Sequence, residues 1–179
     1  FIKFDEKCVC NYCKNYKNKS IVKYNSTEAK NIFDKYRKNN EQADCIVPLS
    51  GGRDSCFALH LAKKKFNLNP IAYTYDWGLV TDIARRNISR MCSRLNIENI
   101  IFADNITKKR NYIKKNVVAW LKKPHLGMVN LFTAGDKHFF RHVQTVKRTT
   151  GLKLDLWGIN PYEITHFKTG FLGVAPYFE

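Results

Sequence analysis

The chain has 179 residues, 44% of them hydrophobic and 13% aromatic. That suffices for one α/β domain with a packed core and excludes a disordered or low-complexity protein. The formal charge of +16 attracts polyanions, whether nucleic acid, nucleotides or nucleotide-linked sugars. A composition rich in Lys and Asn also spreads charge over every solvent face, so charge alone does not choose among these partners. No apolar run is long enough to cross a membrane, and no charged-then-apolar leader opens the chain. Six cysteines, three of them close together at Cys8, Cys10 and Cys13, read as reduced thiols of a cytoplasmic protein. They do not form the framework of a disulfide-stapled secreted one. A chain that opens on Phe1 and ends at Glu179 with no closing signal reads as a fragment of a longer protein.

In chain order, residues 1–25 are polar and Cys-rich and read as a small appended segment; 26–179 read as the main domain, incomplete at its C-terminus. The spacing of Ala29, Ile32, Phe33 and Tyr36 predicts a helix over 28–40, capped by Ser26 or Thr27. A short apolar run predicts a buried strand over 44–49, with Pro48 near its end. A glycine loop follows, then a helix from about Cys56 to Phe66, closed by Asn69-Pro70. Strands are expected over 70–75 and 99–103, on either side of an amphipathic helix over 81–95. A basic helix over 108–122 turns Ile113, Val117 and Trp120 inward, and Pro124 breaks it. A last helix runs to about Thr150, and residues 152–157 form a fourth strand. Alternating strands and helices predict a doubly wound, mostly parallel, Rossmann-like α/β sheet with right-handed crossovers.

Between the first strand and its helix stands Ser50-Gly51-Gly52-Arg53-Asp54-Ser55. Two glycines let the backbone turn tightly and approach a ligand. The following helix offers unpaired N–H groups and the positive end of its dipole. Ser50 and Ser55 add hydroxyls, and Arg53 adds a charged fork for phosphate oxygens. The spacing matches neither the phosphate loop of Gly-x4-Gly-Lys-Ser/Thr nor the Gly-x-Gly-x-x-Gly dinucleotide fingerprint. The loop sits at the carboxyl end of the first strand, where open α/β sheets bind ligands.

This stretch resembles the PP-loop of the ATP pyrophosphatase superfamily. Further stretches resemble its N-acetyl sugar amidotransferase branch: Phe4-Asp5-Glu6 running into Cys10-Asn11-Tyr12-Cys13, Tyr75-Asp76-Trp77-Gly78 with Ala84-Arg85-Arg86-Asn87, Ala134-Gly135-Asp136-Lys137, and the segment from Gly158 to Phe171. The resemblance implies an enzyme that splits ATP into AMP and pyrophosphate. ATP would adenylate an acetamido or carboxyl oxygen of a nucleotide-linked sugar, and ammonia from a separate glutaminase partner would displace AMP. It places pyrophosphate on Ser50, Gly51, Gly52, Asp54 and Ser55, with Arg53 assisting. It places the adenine edge on the backbone of residues 72–75, which include Tyr73 and Tyr75. Asp54 either joins the phosphate site, orients Mg²⁺ or caps its helix. Asp76 contacts ribose or magnesium, or is a strand-end turn residue. Lys137 and Lys168 are candidate phosphate ligands, and Glu163 a candidate substrate contact or acid–base group. Two other readings share the loop: a tRNA-modifying thiolase, with tRNA as partner, and a nucleotide-binding domain without turnover.

Cys10-x-x-Cys13 has the spacing of half a zinc site, with Cys8 as a further ligand. The resemblance places the completing pair upstream; some tRNA thiolases with such a loop use cysteines for an iron–sulfur cluster instead. Cys56, directly after the loop, is either a sulfur relay or a small residue packed on the sheet, and the packing role is preferred. Cys45 and Cys92 suit buried positions. Of the five histidines, His138 and His142 share a helix face but have no third ligand nearby in sequence. His166 is the one inside a family-like stretch.

Overall fold

The computed structural model describes residues 3–16, 25–38, 42–124 and 137–159. The chain divides into two compact units, Phe1–Ile32 and Phe33–Glu179.

In the first unit an antiparallel bridge joins Phe4 to Cys10. Asp5 Oδ1 closes the turn by accepting the N–H groups of Lys7 and Val9, both at 3.0 Å. Cys8 takes a positive φ of 56° in that turn. A short helix, α1, covers Asn11–Tyr16. The second helix, α2, covers Ser26–Asp34. Its cap is Asn25, whose Oδ1 accepts from the N–H groups of Thr27 and Glu28, so the expected Ser26 or Thr27 cap is displaced by one position. The helix also stops earlier than the periodicity predicts, at Asp34. There the Arg37 guanidinium binds the Asp34 carboxylate and the Phe66 carbonyl instead of extending a helical face.

In the second unit four parallel strands stand in the order β3-β2-β1-β4: β1 is Cys45–Pro48, β2 Pro70–Asp76, β3 Asn99–Ala103 and β4 Leu154–Asp155. This is the doubly wound arrangement that alternating strands and helices imply. Between β1 and β2 run α3, Arg53–His60, and a π-helical turn over Leu61–Lys65. Next come α4, Asp82–Leu95, and, after β3, α5, Ile106–Lys122. The last helix, α6, covers Lys137–Thr150. Strand alternation sorts the side chains onto two faces. Cys45, Val47, Leu49 and Ala72 join Leu59, Ala62, Ile88 and Leu95 in one core, under α3 and α4. Ile46 and Tyr73 join Val143, Val146 and Leu152 in the other, under α6.

Caps set the helix starts. Thr81 accepts from the Ala84 N–H before α4, and Asn105 accepts from the Lys108 N–H before α5. The Asn105 cap moves the start of α5 two residues ahead of the expected Lys108. The fourth strand is shorter than its apolar run predicts. Its ladder covers only Cys45–Leu154 and Ile46–Asp155, and one further N–H from Leu156 reaches the Ile46 carbonyl. Asp155 is then held by Lys147 and by the Trp157 indole N–H, which ends the extended pairing. Among the described residues no helix is long and apolar enough to cross a membrane.

Candidate nucleotide site

The glycine loop stands at the carboxyl end of β1, beside the β1–β4 neighbourhood where the strand order reverses direction. Leu49 anchors it from below: buried to 2%, it donates its N–H to the Tyr73 carbonyl at 2.7 Å. Two hydroxyls then tie the loop together. Ser55 Oγ lies 3.1 Å from Ser50 Oγ, accepts the Ser50 N–H at 3.2 Å and donates to the Gly52 carbonyl. Gly51 has a φ of +79°, and a Cβ there would sit 2.4 Å from the Ala84 carbonyl oxygen. Only glycine satisfies both conditions.

Gly52 is the N-cap of α3 and supplies no side-chain cap. Asp54, in the first turn, therefore does not cap this helix, which removes one of its three expected roles. The first-turn amides of α3 have no partner within the helix and point out of the loop, together with the positive dipole end. An anion is the ligand that such a terminus favours. Arg53 is exposed, its Nε 3.5 Å from Asp54 Oδ1.

The stretch after β2 folds onto this loop. Asp76 accepts the Gly78 N–H on Oδ1 at 2.9 Å and pairs with Arg85 through Oδ2 at 2.9 Å. Asn87, two residues further along α4, donates to the Gly51 carbonyl at 3.1 Å. Two segments 36 residues apart thus lock one another, which their separation in sequence did not reveal. From the other side Gly158, after β4, abuts the Asp54 carbonyl; no side chain fits there without displacing the loop.

Two pockets flank the strand ends. On the α4 side, about 330 Å³ is lined by Thr74, Asp76, Arg85, Ser89 and Asn99 among others. On the α6 side, about 390 Å³ is lined by Ser50, Tyr75, Trp77, Lys109, Phe139 and Phe140. Tyr75 contributes its ring to this second pocket. The Tyr73 ring, by contrast, is fully buried in the core beneath α6, so only its backbone lies near the site, and its carbonyl is already taken by Leu49.

Behind Tyr75 lies a polar cluster missed by sequence reasoning. The Tyr75 hydroxyl donates to Asp104 at the end of β3. His138 Nδ1 and His142 Nε2 lie 3.7 and 3.8 Å from the same carboxylate. His142 stacks on Phe102 at 4.1 Å and on Tyr75 at 5.5 Å. Burial tends to raise the Asp104 carboxyl, but the Tyr75 hydroxyl, the Asn105 N–H and the two imidazoles outweigh it and hold it below its ordinary value. Burial lowers His142 and prevails over the attraction of Asp104. Sequence places no third ligand near the histidine pair and favours exposure or packing for it; His142 is packed on the two rings, and strand order brings the distant Asp104 to the pair.

Burial pushes the Cys56 thiol up, only partly offset by Ser55, and pushes Cys45 up to about 12. Cys56 packs against the α3–α4 core. That packing agrees with the structural role preferred for it. In the first unit the Cys10 Sγ accepts the Cys13 N–H at 3.3 Å. Among the described residues no group of three or more His, Cys, Asp or Glu side chains is arranged to hold a metal ion. Cys10 and Cys13 supply two thiols of the four that a closed zinc site needs, so they do not fit a complete one. Lys137 is the first residue of α6, but its side chain, with Glu163, Lys168, His125 and His166, lies outside the described residues.

No known family profile matches the chain. A segment of 49 residues is 41% identical to an uncharacterized protein of Methanocaldococcus jannaschii, covering 27% of this chain and 18% of that protein. Among solved structures, the NH₃-dependent NAD synthetase of Campylobacter jejuni, in complex with a nitrate ion, superposes with a TM-score of 0.51 at 17% identity. The match covers 76% of this chain, which spans only 56% of that synthetase. At that identity the likeness establishes architecture: the chain has the parallel, Rossmann-like α/β fold of that synthetase.

Proposed function

We propose that this domain binds ATP on its glycine loop and cleaves it to AMP and pyrophosphate in order to activate an oxygen for replacement by ammonia. The observation that carries the reading is the loop itself: two serine hydroxyls, a positive-φ glycine and an uncapped helix N-terminus at the carboxyl end of β1. The ammonia-dependent activity named for the structural neighbour supports the choice of nucleophile.

In this reading the β- and γ-phosphates sit on the amides of residues 51–55 with the Ser50 and Ser55 hydroxyls, and Arg53 closes over them. The nucleoside lies along the end of β2, on the α4 side, where Thr74, Ser89 and Asn99 provide neutral hydrogen-bonding groups. Magnesium, when bound, offsets phosphate charge. Asp54 is the carboxylate suited to it, since both oxygens of Asp76 are engaged by Gly78 and Arg85. One or two carboxylates with phosphate oxygens and water suffice for this ion.

An acetamido or carboxyl oxygen of the acceptor attacks the α-phosphorus, and the bond to the β-phosphate oxygen breaks with release of pyrophosphate. Ammonia then adds to the activated carbon and loses a proton, and the carbon–oxygen bond to AMP breaks. The physical need is a leaving group: an amide oxygen leaves poorly, AMP leaves well. The loop's contribution is preorganised positive potential where phosphate charge moves. An N-acetylated, nucleotide-linked sugar is the acceptor that the sequence resemblance favours, with a glutaminase partner as ammonia source. The packing of Cys56 against the α3–α4 core weighs against the tRNA-thiolase alternative.

The test is an incubation with Mg-ATP, ammonium and either UDP-linked N-acetylated sugars or bulk tRNA. The proposal expects AMP only with sugar, and a product lighter by the exchange of O for NH. AMP formation that depends on tRNA and not on sugar would move the assignment to tRNA modification.

A further inference from the structure

Lysine dominates the bases of this chain, 22 against 9 arginines, yet α4 holds four arginines and no lysine. Arg85 turns to Asp76. Arg86, Arg90 and Arg94 follow Ile83 at steps of three, four and four residues, so the four side chains share one face of the helix. All four are exposed, Ile83 to 66%, while Ile88 and Leu95 turn into the core. Among the described residues none of these three guanidiniums has an ion-pair partner. A lysine-rich composition does not account for a stripe from which lysine is absent. A planar guanidinium fork, by contrast, matches phosphate oxygens bidentately.

The neighbouring helix repeats the pattern. Phe57 of α3 is 59% exposed, and His60 and Lys64 are exposed further along. Both helices cover one core on the same face of the sheet, and the Asn87 bond to Gly51 holds their first turns together. Their outer faces form one basic layer, with Phe57 and Ile83 toward the end that carries the glycine loop. A second copy of the chain would set like charges against one another here. A nucleic-acid strand would use the arginines and stack on Phe57, but gains nothing from Ile83. A bilayer with anionic headgroups uses both kinds of residue: its negative surface draws the bases, and its headgroup–acyl boundary takes in apolar side chains. We infer that the α3–α4 face docks on an anionic phospholipid bilayer. Phe57 and Ile83 enter at headgroup level, and Arg86, Arg90, Arg94 and Lys64 hold lipid phosphates. The contact is peripheral, needs no spanning helix and does not depend on the adenylation reading. It sets the glycine loop beside the lipid surface.

The test is co-sedimentation of the full chain with vesicles of phosphatidylcholine, with and without phosphatidylglycerol, and binding of a single-stranded uridine homopolymer in parallel. The variants are the pair Arg90→Gln with Arg94→Gln, the single Ile83→Ser, and as control the pair Lys114→Gln with Lys115→Gln on α5, which removes the same charge from another exposed surface. All five positions are exposed, so thermal unfolding of each variant should match that of the unaltered chain. The chain should bind the anionic vesicles and not the neutral ones. The arginine pair should weaken that binding about tenfold or more, and the lysine pair about twofold or less. Ile83→Ser should weaken it about threefold, and its effect should persist in high salt, where the arginine effect shrinks. Absence of binding to anionic vesicles, equal losses in the two charge pairs, or an Ile83→Ser variant that binds as the unaltered chain does overturns the inference. RNA binding that needs the arginines and ignores Ile83, with no binding to vesicles, would assign the face to nucleic acid instead.

Discussion

Replacing Gly158 by alanine probes whether the region after β4 braces the phosphate loop. A Cβ at this position would lie 2.5 Å from the Asp54 carbonyl oxygen, 2.7 Å from its carbon and 2.9 Å from the Ser55 Cα. All three are backbone atoms and cannot rotate aside. Ordinary carbon contacts begin at about 3.5 Å, so the first turn of α3 must move by roughly 0.7–1 Å. Overpacking of this kind costs about 1–3 kcal/mol. The displaced turn carries Ser55, whose hydroxyl meets both the Ser50 hydroxyl and the Ser50 N–H. If half or more of that cost falls on the bound geometry, ATP affinity drops about two- to a hundredfold, at about 1.4 kcal/mol per factor of ten. The assay is calorimetric binding of a non-hydrolysable ATP analogue, with urea unfolding of the same samples. Gly151→Ala is the control: its φ is +69° and nothing lies within 4 Å of a Cβ, so it carries backbone strain of about 1–2 kcal/mol and no steric push. Wild-type affinity in Gly158→Ala, or equal affinity losses in both variants, would refute the bracing argument.

Gly51→Ala combines a positive φ with a Cβ 2.4 Å from the Ala84 oxygen and endangers the Asn87 bond to Gly51. It should cost about 2–4 kcal/mol in urea unfolding and abolish binding of the ATP analogue. Thr81→Ala removes the hydroxyl that accepts the Ala84 N–H and should cost about 1 kcal/mol by the same measurement. His142 has a folded-state value below its ordinary 6.5. Its contribution to stability is therefore full above pH 6.5 and is lost as pH falls from there through the lowered folded value. Thermal unfolding against pH should show that loss, and His142→Gln should flatten it; an unchanged slope in the variant would assign the effect elsewhere. Asp104 is likewise lowered, so its contribution persists above 3.8 and disappears at still more acid pH.

The parts of the fold that sequence made visible are those written in adjacent residues. The runs that form β1, β2 and β3 are short, apolar and bounded by Pro, Asn or Gly, and the loop announces itself through two glycines between two serines. What stayed hidden depends on strand order. Asp104 meets His138 and His142 only because β3 ends beside β2 and α6 crosses over both. Gly158 and Asn87 reach the loop from opposite sides, each across a long sequence separation. Lys109 left a trace: it precedes Ile113 by four residues and Trp120 by eleven, on the inward face of α5. A basic helix reading assigns every lysine to solvent, whereas Lys109 turns in and its Nζ meets the Trp77 ring. Asn25 outcompetes Ser26 and Thr27 as the cap of α2 through a side-chain oxygen that reaches two amides, a local choice that composition does not decide.

The most direct test of the central claim is the identity of the products formed from ATP. The protein, with Mg-ATP, ammonium and an N-acetylated sugar nucleotide, should release AMP and pyrophosphate in equal amounts, resolved by phosphorus NMR, and Ser55→Ala should suppress both. Release of ADP and inorganic phosphate would contradict the account, because it would place the cleaved bond at the γ-phosphate and not at the α-phosphorus that the loop is proposed to expose.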